Sequence, residues 1–287
     1  MRLKIWGTRG SLPSPGPDTV RYGGNTSCVE VRGDRGTLLV LDAGTGIRRL
    51  GAALRSRITR LDILLTHLHL DHILGIGFFA PLERPDLDVH IWGPSSTTLN
   101  LEARLARYWA PPLFPIRLYD LPCRIAFHDV PLGRFAIGEF EITGALVCHP
   151  GPTVGYRIDD GSRVIVYLPD HEPALGSSHL PEAAAWTSGW DLARNADLLI
   201  HDAQYSADEY ADHVGWGHSA LSHALEFAAT ANVRRLIAFH HDPNRSDADM
   251  DRLIADAIRG MPLPFRFAAA REGARLTLRH RRSSDRE

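Results

Sequence analysis

Three histidines and one aspartate lie within six consecutive positions of the chain: His67, His69, Asp71 and His72. The apolar run Leu61–Leu65, which is typical of a buried strand, stands directly before them. In extended geometry His67 and His69 point the same way, because alternate side chains of a strand share a face. Imidazole and carboxylate groups suit zinc, and also manganese or iron. The spacing therefore predicts a metal site at the end of this strand, with Asp71 and His72 able to face a second metal ion.

Three polar residues further along the chain also stand just beyond apolar runs that we predict as strands. His149 follows Glu139–Val147, Asp170 follows Arg163–Leu168, and His240 follows Arg235–Phe239. Strand ends deliver side chains to the edge of a sheet, where the sites of α/β proteins lie. These residues are therefore candidates for the same metal centre. For the last position the neighbour His241 is an alternative to His240.

The His-x-His-x-Asp-His pattern after an apolar strand resembles the hallmark motif of the metallo-β-lactamase superfamily. The resemblance implies an αββα sandwich of two mixed sheets flanked by helices, with a metal cleft at one edge. It implies two divalent metal ions, with zinc as the expected metal and manganese or iron as alternatives. By the superfamily pattern, His67, His69 and His149 would bind one ion, Asp71, His72 and His240 would bind the other, and Asp170 would bridge them.

Two later segments resemble the branch of the superfamily that contains RNase Z and cyclic phosphodiesterases. Leu198–Gln204 stands where that branch has a His-Glu-Ala-Thr loop, and Gly217–Ala220 stands where it has a His-Ser-Thr loop. The resemblance implies that His218 protonates the leaving alkoxide and that Asp202 holds the required tautomer of His218. Asp71 would orient a metal-bridging hydroxide that attacks phosphorus.

The segments around these loops suggest further contacts. Ser219 is a candidate N-cap of a helix over Ala220–Ala231, whose N-terminus could bind a phosphate oxygen. Near the N-terminus of the chain, Arg9, Ser11 and Asn25 are candidates either for substrate contact or for structural roles.

The predicted function is metal-dependent hydrolysis of a small phosphodiester, either linear or cyclic. The phosphoribosyl cyclic phosphodiesterases are the type that the sequence resembles. An acyl hydrolase, either a thioesterase or a lactonase, is the alternative because it would use the same metals. In RNase Z a long arm that clamps transfer RNA is inserted in the sequence between the third histidine and the bridging aspartate. Here only residues 150–169 separate His149 from Asp170, which leaves no room for such an arm. Together with a net charge of −2, this predicts that transfer RNA is not a partner.

Composition sets the broader limits. The chain has 287 residues, of which 44% are apolar and 23% charged, which is typical of a globular protein and excludes disordered and collagen-like chains. Its three cysteines are too few for a disulfide framework and, with no secretory or membrane-spanning pattern, predict a cytoplasmic protein that does not enter a membrane. We expect one domain over 1–278 and a polar tail over 279–287.

Strand and helix patterns alternate along the chain. The predicted strands are Arg2–Trp6, Ser27–Arg32, Thr37–Asp42, Leu61–Leu65, Leu87–Trp92, Glu139–Val147, Thr153–Ile158, Arg163–Leu168, Asp197–Ile200 and Arg235–Phe239, and the predicted helices are Ser95–Tyr108, Ala220–Ala231 and Asp247–Ile258. The aromatic and proline-rich loop at 108–115 is either a packed connection or a lid. Exposure of Trp109 and Phe114 in this loop would favour a homodimer.

Overall fold

The computed structural model describes residues 1–54, 58–177, 179–181 and 186–279. The strands are β1 (Arg2–Gly7), β2 (Cys28–Arg32), β3 (Leu38–Leu41), β4 (Arg60–Leu64), β5 (Asp88–Gly93), β6 (Arg124–Asp129), β7 (Gly133–Ile137), β8 (Phe140–Leu146), β9 (Val154–Asp159), β10 (Val164–Leu168), β11 (Leu198–Asp202), β12 (Arg235–Phe239), β13 (Arg266–Ala269) and β14 (Arg275–Thr277). The α-helices are α1 (Gly46–Ala53), α2 (Leu70–Ile73), α3 (Leu101–Tyr108), α4 (Trp190–Ala193), α5 (Ala207–Ala211), α6 (Leu221–Thr230) and α7 (Asp247–Ala257).

The strands form two mixed sheets of seven strands each. The order in the first sheet is β14-β1-β2-β3-β4-β5-β6, and in the second it is β13-β12-β11-β10-β9-β8-β7. Pairing is parallel from β3 to β6 and from β10 to β13, and antiparallel from β14 to β3 and from β7 to β10. The chain connects the sheets twice: from β6 to β7 and from β13 to β14.

The inner faces of the two sheets enclose the central core, and helices cover both outer faces. Alternation along a strand divides its side chains between layers: in β4, Leu61 and Ile63 pack on the helix side while Leu64 packs between the sheets. Helices α1 and α3 contact the first sheet, and α4 and α6 contact the second, with α7 packed on α6. The predicted αββα sandwich is therefore confirmed. None of the helices in the described ranges has the length and apolar character needed to cross a bilayer.

Four strands were missing from the sequence prediction, and they are the four outermost strands: β6, β7, β13 and β14. Edge strands expose one side of the ladder to solvent and therefore tolerate charged residues that interrupt the apolar pattern. The three-residue strand β14, for example, begins with Arg275 and has an exposed–intermediate–exposed burial pattern. A short, partly charged strand of this kind has no period that the sequence alone could reveal.

The helix predicted over Ser95–Tyr108 begins six residues later, at Leu101. Asn100 Oδ1 accepts a hydrogen bond of 2.8 Å from the backbone N–H of Ala103, so this side chain caps the helix. The prediction gave weight to apolar spacing and overlooked the capping residue. Of the predicted polar tail, 280–287 lies outside the described residues.

The aromatic and proline-rich loop is a packed connection. Trp109 is only 1% exposed and Phe114 only 7%, and both belong to the core under the first sheet. Phe114 also meets Phe78 edge to face, with a centroid distance of 5.6 Å. The expectation that these rings are exposed is wrong, because the loop folds back over 76–78 and buries them. They therefore offer no surface for a dimer.

Candidate metal centre

The side chains of the predicted site come from loops at one edge of both sheets. His67 lies three residues beyond β4, and the short helix α2 holds Asp71 and His72. In the second sheet Asp170 lies two residues beyond β10, and His240 directly follows β12 with a positive φ of 58°. Because β4, β10 and β12 run in parallel portions of their sheets, their carboxyl ends deliver these groups to a common cleft.

The structure brings all seven predicted ligands together in two groups. In each group the candidate ligand atoms lie within 4.8 Å of one another: His67, His69 and His149 form one group, and Asp71, His72, Asp170 and His240 form the other. The carboxylate of Asp170 links them, since Oδ1 lies 3.8 Å from His67 Nε2 and 3.2 Å from His240 Nε2, while Oδ2 lies 3.0 Å from His72 Nε2. The second group includes His240 and leaves out His241, whose Nε2 donates to the backbone oxygen of Ala270.

Three buried polar atoms in this cluster make no well-aligned hydrogen bond among the described residues, although two of them, His72 Nε2 and Asp170 Oδ2, lie 3.0 Å apart; the third is His67 Nε2. A buried polar atom without a partner costs roughly 1–3 kcal/mol. A divalent cation coordinated by these atoms would remove that cost. The nitrogen and oxygen donor set is also the one that zinc takes in hydrolases. The residues present therefore fit divalent metal ions.

The histidines of the first group carry little positive charge at neutral pH. Burial lowers the pKa of His67, His69 and His149, so these rings stay neutral and keep a lone pair for a metal. In the second group burial alone would lower the pKa of His72, but the carboxylates of Asp170 and its neighbours raise it well above the usual value. The negative charge of these carboxylates would be neutralised by a cation bound at the centre.

Hydrogen bonds from the outer ring nitrogens fix how the histidines face the cluster. His72 Nδ1 donates to Asp42 Oδ2 at 2.8 Å, and His240 Nδ1 donates to Gln204 Oε1 at 3.0 Å. These bonds leave each Nε2 turned to the cluster, as in metal-bound histidines. Asp42 and Gln204 are not predicted in this role from the sequence. The signal for Asp42 was its position at the end of a predicted strand, like the ligands themselves.

His149 is held in the same way by the backbone. Its Nδ1 donates to the carbonyl oxygen of Gly217 at 2.8 Å. A Cβ atom at position 217 would lie 2.3 Å from that same nitrogen, and the residue has a φ of +86°. Only glycine satisfies both conditions, so Gly217 is required here by contact and by backbone conformation.

His218 and Asp202 lie beside the cluster as a hydrogen-bonded pair. His218 Nδ1 donates to Asp202 Oδ2 at 2.7 Å, and the backbone N–H groups of Gln204 and Ser219 donate to Oδ1. The ring of His218 stacks on His240 at 4.9 Å. Burial alone would lower the pKa of His218, but the Asp202 carboxylate, helped by the carboxylates of the cluster, raises it to about 9. His218 therefore carries a proton at neutral pH, with Nε2 free of the Asp202 bond.

One expectation about the surrounding residues is wrong, and two open alternatives are decided for structural roles. Ser219 is not the N-cap of α6, which begins at Leu221; its hydroxyl instead donates to the backbone oxygen of His171 at 2.6 Å. Arg9 is fully buried and donates to backbone carbonyls, which is a structural role. Ser11 touches the cluster through its backbone, whose N–H donates to Asp71 Oδ2 at 2.8 Å.

Known proteins are similar to this chain in sequence and in fold. Residues 37–241 match the family model described as "Beta-lactamase superfamily domain". Ribonuclease Z of Haloarcula marismortui is 26% identical over 90% of this chain and 91% of the relative. The metallo-beta-lactamase fold protein YhfI from Bacillus subtilis superposes with a TM-score of 0.70 at 19% identity, over 96% of this chain and 98% of that one.

Two further solved structures carry names of nucleases or phosphatases. A diphosphatase from the PhnP family has a TM-score of 0.66 at 21% identity, covering 97% of this chain and 98% of its own. The short form of human tRNase Z has a TM-score of 0.68 at 20% identity, covering 96% and 99%. At these identities the structural likeness shows the fold.

The expectation that transfer RNA is not a partner is wrong. The relatives named ribonuclease Z align over most of this chain and most of their own length. A short hairpin of β9 and β10 does occupy the interval between His149 and Asp170, as expected. A net charge summed over the chain, however, does not exclude RNA, because phosphate contacts depend on local side chains.

The family match covers well over half of the chain and contains all seven clustered residues, from His67 to His240. The resemblance inferred from the sequence motif is thereby confirmed. The protein belongs to the metallo-β-lactamase superfamily and is a hydrolase of that family.

Proposed function

We propose that the protein is a metal-dependent phosphodiesterase. The observation that carries the proposal is the His218–Asp202 pair, in which a buried carboxylate accepts the Nδ1 proton of an imidazole that lies directly beside the seven clustered residues. Cleavage of a phosphodiester releases an alkoxide, which leaves more easily when a positioned acid protonates it. The ribonuclease Z relatives support the same reaction class.

The seven clustered residues would hold two divalent metal ions, with zinc as the proposed metal. His67, His69 and His149 would hold one ion, Asp71, His72 and His240 would hold the other, and Asp170 would serve both. Ions at this centre would supply an activated water at neutral pH and a Lewis acid for the phosphate oxygens.

Asp71 and His218 divide the proton transfers between them. Burial alone would raise the pKa of Asp71, but His72 and His240 hold it well below its usual range, so the carboxylate is ionised and can accept a hydrogen bond from the attacking water. Its Oδ2 is fixed by the backbone N–H of Ser11. His218 gives its proton to the leaving oxygen, while Asp202 stabilises the charged imidazole and keeps the proton on Nδ1.

The acyl hydrolase alternative is not favoured. A thioester releases a thiolate, which needs no strong general acid, so a thioesterase would have little use for the His218–Asp202 pair. A lactone releases an alkoxide, as a phosphodiester does, and against a lactonase it is the ribonuclease Z relatives that favour phosphodiester hydrolysis. The proposed substrates are RNA phosphodiesters and small cyclic phosphodiesters. Relative turnover of the two classes decides which is preferred.

The test compares the wild type with His218→Ala on bis(p-nitrophenyl) phosphate, 2′,3′-cyclic AMP, a precursor transfer RNA, a lactone and a thioester. We expect turnover of at least one phosphodiester. On substrates that release an alkoxide, such as 2′,3′-cyclic AMP, His218→Ala should lower turnover by about 10²–10⁴-fold with metal content retained, whereas bis(p-nitrophenyl) phosphate, whose nitrophenolate leaves without an acid, should lose less. His179→Ala, which changes a side chain that is 82% exposed, is the matched control and should keep full activity. Hydrolysis of the acyl esters alone would overturn the proposal, and loss of metal from His218→Ala would overturn the role of His218.

A further inference from the structure

Trp216 is 61% exposed although it lies only two residues before His218. Two residues of chain span at most about 7 Å, so the backbone of Trp216 lies close to that of His218, which borders the clustered ligands. We propose that Trp216 is a stacking platform for the nucleobase next to the scissile phosphate, which makes the substrate a nucleotidic phosphodiester. This inference rests on the proposed function and names the substrate class within it.

The turn that carries Trp216 is braced by a buried carboxylate. Glu172 is 1% exposed, and its two oxygens accept the backbone N–H groups on either side of the tryptophan: Gly215 N lies 2.9 Å from Oε1, and Gly217 N lies 2.7 Å from Oε2. The hydroxyl of Tyr210 also donates to Oε1, at 2.8 Å. The backbone is therefore fixed on both sides of a ring that folding leaves in solvent.

The same turn is coupled to the metal centre. The carbonyl oxygen of Gly217 accepts the hydrogen bond from His149 Nδ1, and His218 follows it directly. This hydrogen bond ties the turn to a predicted metal ligand, so the backbone at Trp216 has a fixed position relative to the centre. A rigid aromatic side chain on a fixed backbone loses little conformational entropy when it binds a ligand.

Aromatic rings connect Trp216 with the proposed proton donor. The indole meets His213 edge to face at 4.8 Å, and His213 stacks on Tyr205 at 4.5 Å with the planes 23° apart. Tyr205 in turn meets His218 at 6.0 Å. These contacts fix the orientation of the indole and leave more than half of its surface to solvent.

A nucleobase is the ligand group that this surface fits best. Bases stack on tryptophan through their π faces, and each such contact contributes about 1–3 kcal/mol with little dependence on sequence. A phosphodiester that lacks a planar group gains nothing comparable from the indole. Stacking would place the base against Trp216 while the attached phosphate reaches the clustered ligands.

The test measures discrimination between matched substrates in the wild type, Trp216→Ala and Trp216→Phe. One substrate is 2′,3′-cyclic AMP, and the other is methyl riboside 2,3-cyclic phosphate, which lacks the base. The ratio of their kcat/KM values should fall about tenfold in Trp216→Ala, mainly through the KM of the nucleotide, and recover in Trp216→Phe. Trp186→Ala removes another exposed indole, 84% accessible, and should leave the ratio unchanged.

A short oligoribonucleotide in the same assay distinguishes an RNA substrate from a mononucleotide, because the wild type should have the higher kcat/KM on one of the two. Trp216→Ala should lower kcat/KM on the preferred substrate. Quenching of tryptophan fluorescence by AMP should be smaller in Trp216→Phe than in the wild type. An unchanged ratio in Trp216→Ala, or an equal loss on both cyclic substrates, would overturn the inference while leaving phosphodiester hydrolysis intact. A wild type that cleaves no phosphodiester would instead overturn the proposed function itself.

Discussion

At the scale of single residues, hydrogen bonds from outside the cluster determine which ring nitrogens face its centre. The motif His67, His69, Asp71 and His72 was sufficient to predict four of the clustered residues, and strand ends supplied the other three. The groups that orient them could not be predicted in the same way. Gln204 touches His240 across 36 positions of sequence, and no local pattern records a contact at that separation.

The role of Gln204 can be tested without changing a predicted ligand. We expect Gln204→Leu to lower metal affinity about 10–100-fold, because Nδ1 of His240 would lose its acceptor and the ring its fixed orientation. Gln204→Glu keeps an acceptor in the same place and should recover most of the affinity. Competition with a chelating indicator measures both values. Equal affinities for the wild type and Gln204→Leu would show that His240 does not depend on this contact.

At the scale of elements, the loops after the strands of both sheets carry the chemistry. A loop that packs directly against the side chain of a predicted metal ligand needs a small residue at the point of contact. Gly10 follows β1, and a Cβ atom built there would lie 2.2 Å from His240 Nδ1. At Gly16, in the same loop region, a Cβ atom would meet nothing within 4 Å.

These two glycines give a matched pair of substitutions. Gly10→Ala should displace His240 and lower metal affinity about tenfold or more, as loss of a positioned ligand does. Gly16→Ala should leave metal affinity at the wild-type value. Metal titration of both variants is the measurement. A Gly10→Ala protein with normal affinity would mean that the loop after β1 yields without moving the ligand.

The sequence predicted the inner strands well and the outer strands poorly, for a physical reason. Val164–Leu168 is buried along its whole length and is apolar throughout, so β10 was evident from its composition. Arg266–Ala269 is half exposed, and its strand state comes from pairing with β12 rather than from its own pattern. Long-range pairing of this kind enters only with the folded structure.

At the scale of the whole molecule, both ends of the described chain meet in one sheet, because β14 pairs with β1. We therefore propose that 1–278 folds as one unit. Urea unfolding followed by tryptophan fluorescence and by far-UV circular dichroism should give coincident single transitions. Two separated transitions would show that the sheets unfold independently.

Buried neutral histidines should make the fold sensitive to acid. Burial lowers the pKa of His201 to about 4 and that of His241 to about 3, against about 6.5 in the unfolded chain. Below about pH 6.5 the unfolded state binds protons that the native state does not, so stability is complete above that pH and falls as the pH decreases towards 4.

Each such group lowers the free energy of unfolding by about 1.4 kcal/mol per pH unit in this range. His201→Gln should reduce the slope between pH 6 and pH 4.5 by about that amount relative to the wild type, measured by urea denaturation at several pH values. Identical slopes for the two proteins would contradict the assignment of His201 as a buried neutral group.

The central claim is that the clustered histidines and aspartates form a metal centre that hydrolyses phosphodiesters. Its most direct test is the metal content of the purified protein, measured together with turnover of bis(p-nitrophenyl) phosphate before chelation, after chelation and after reconstitution. We predict about two ions per chain, with turnover that disappears on chelation and returns with zinc or manganese. A protein that binds no metal after reconstitution with either ion would contradict it.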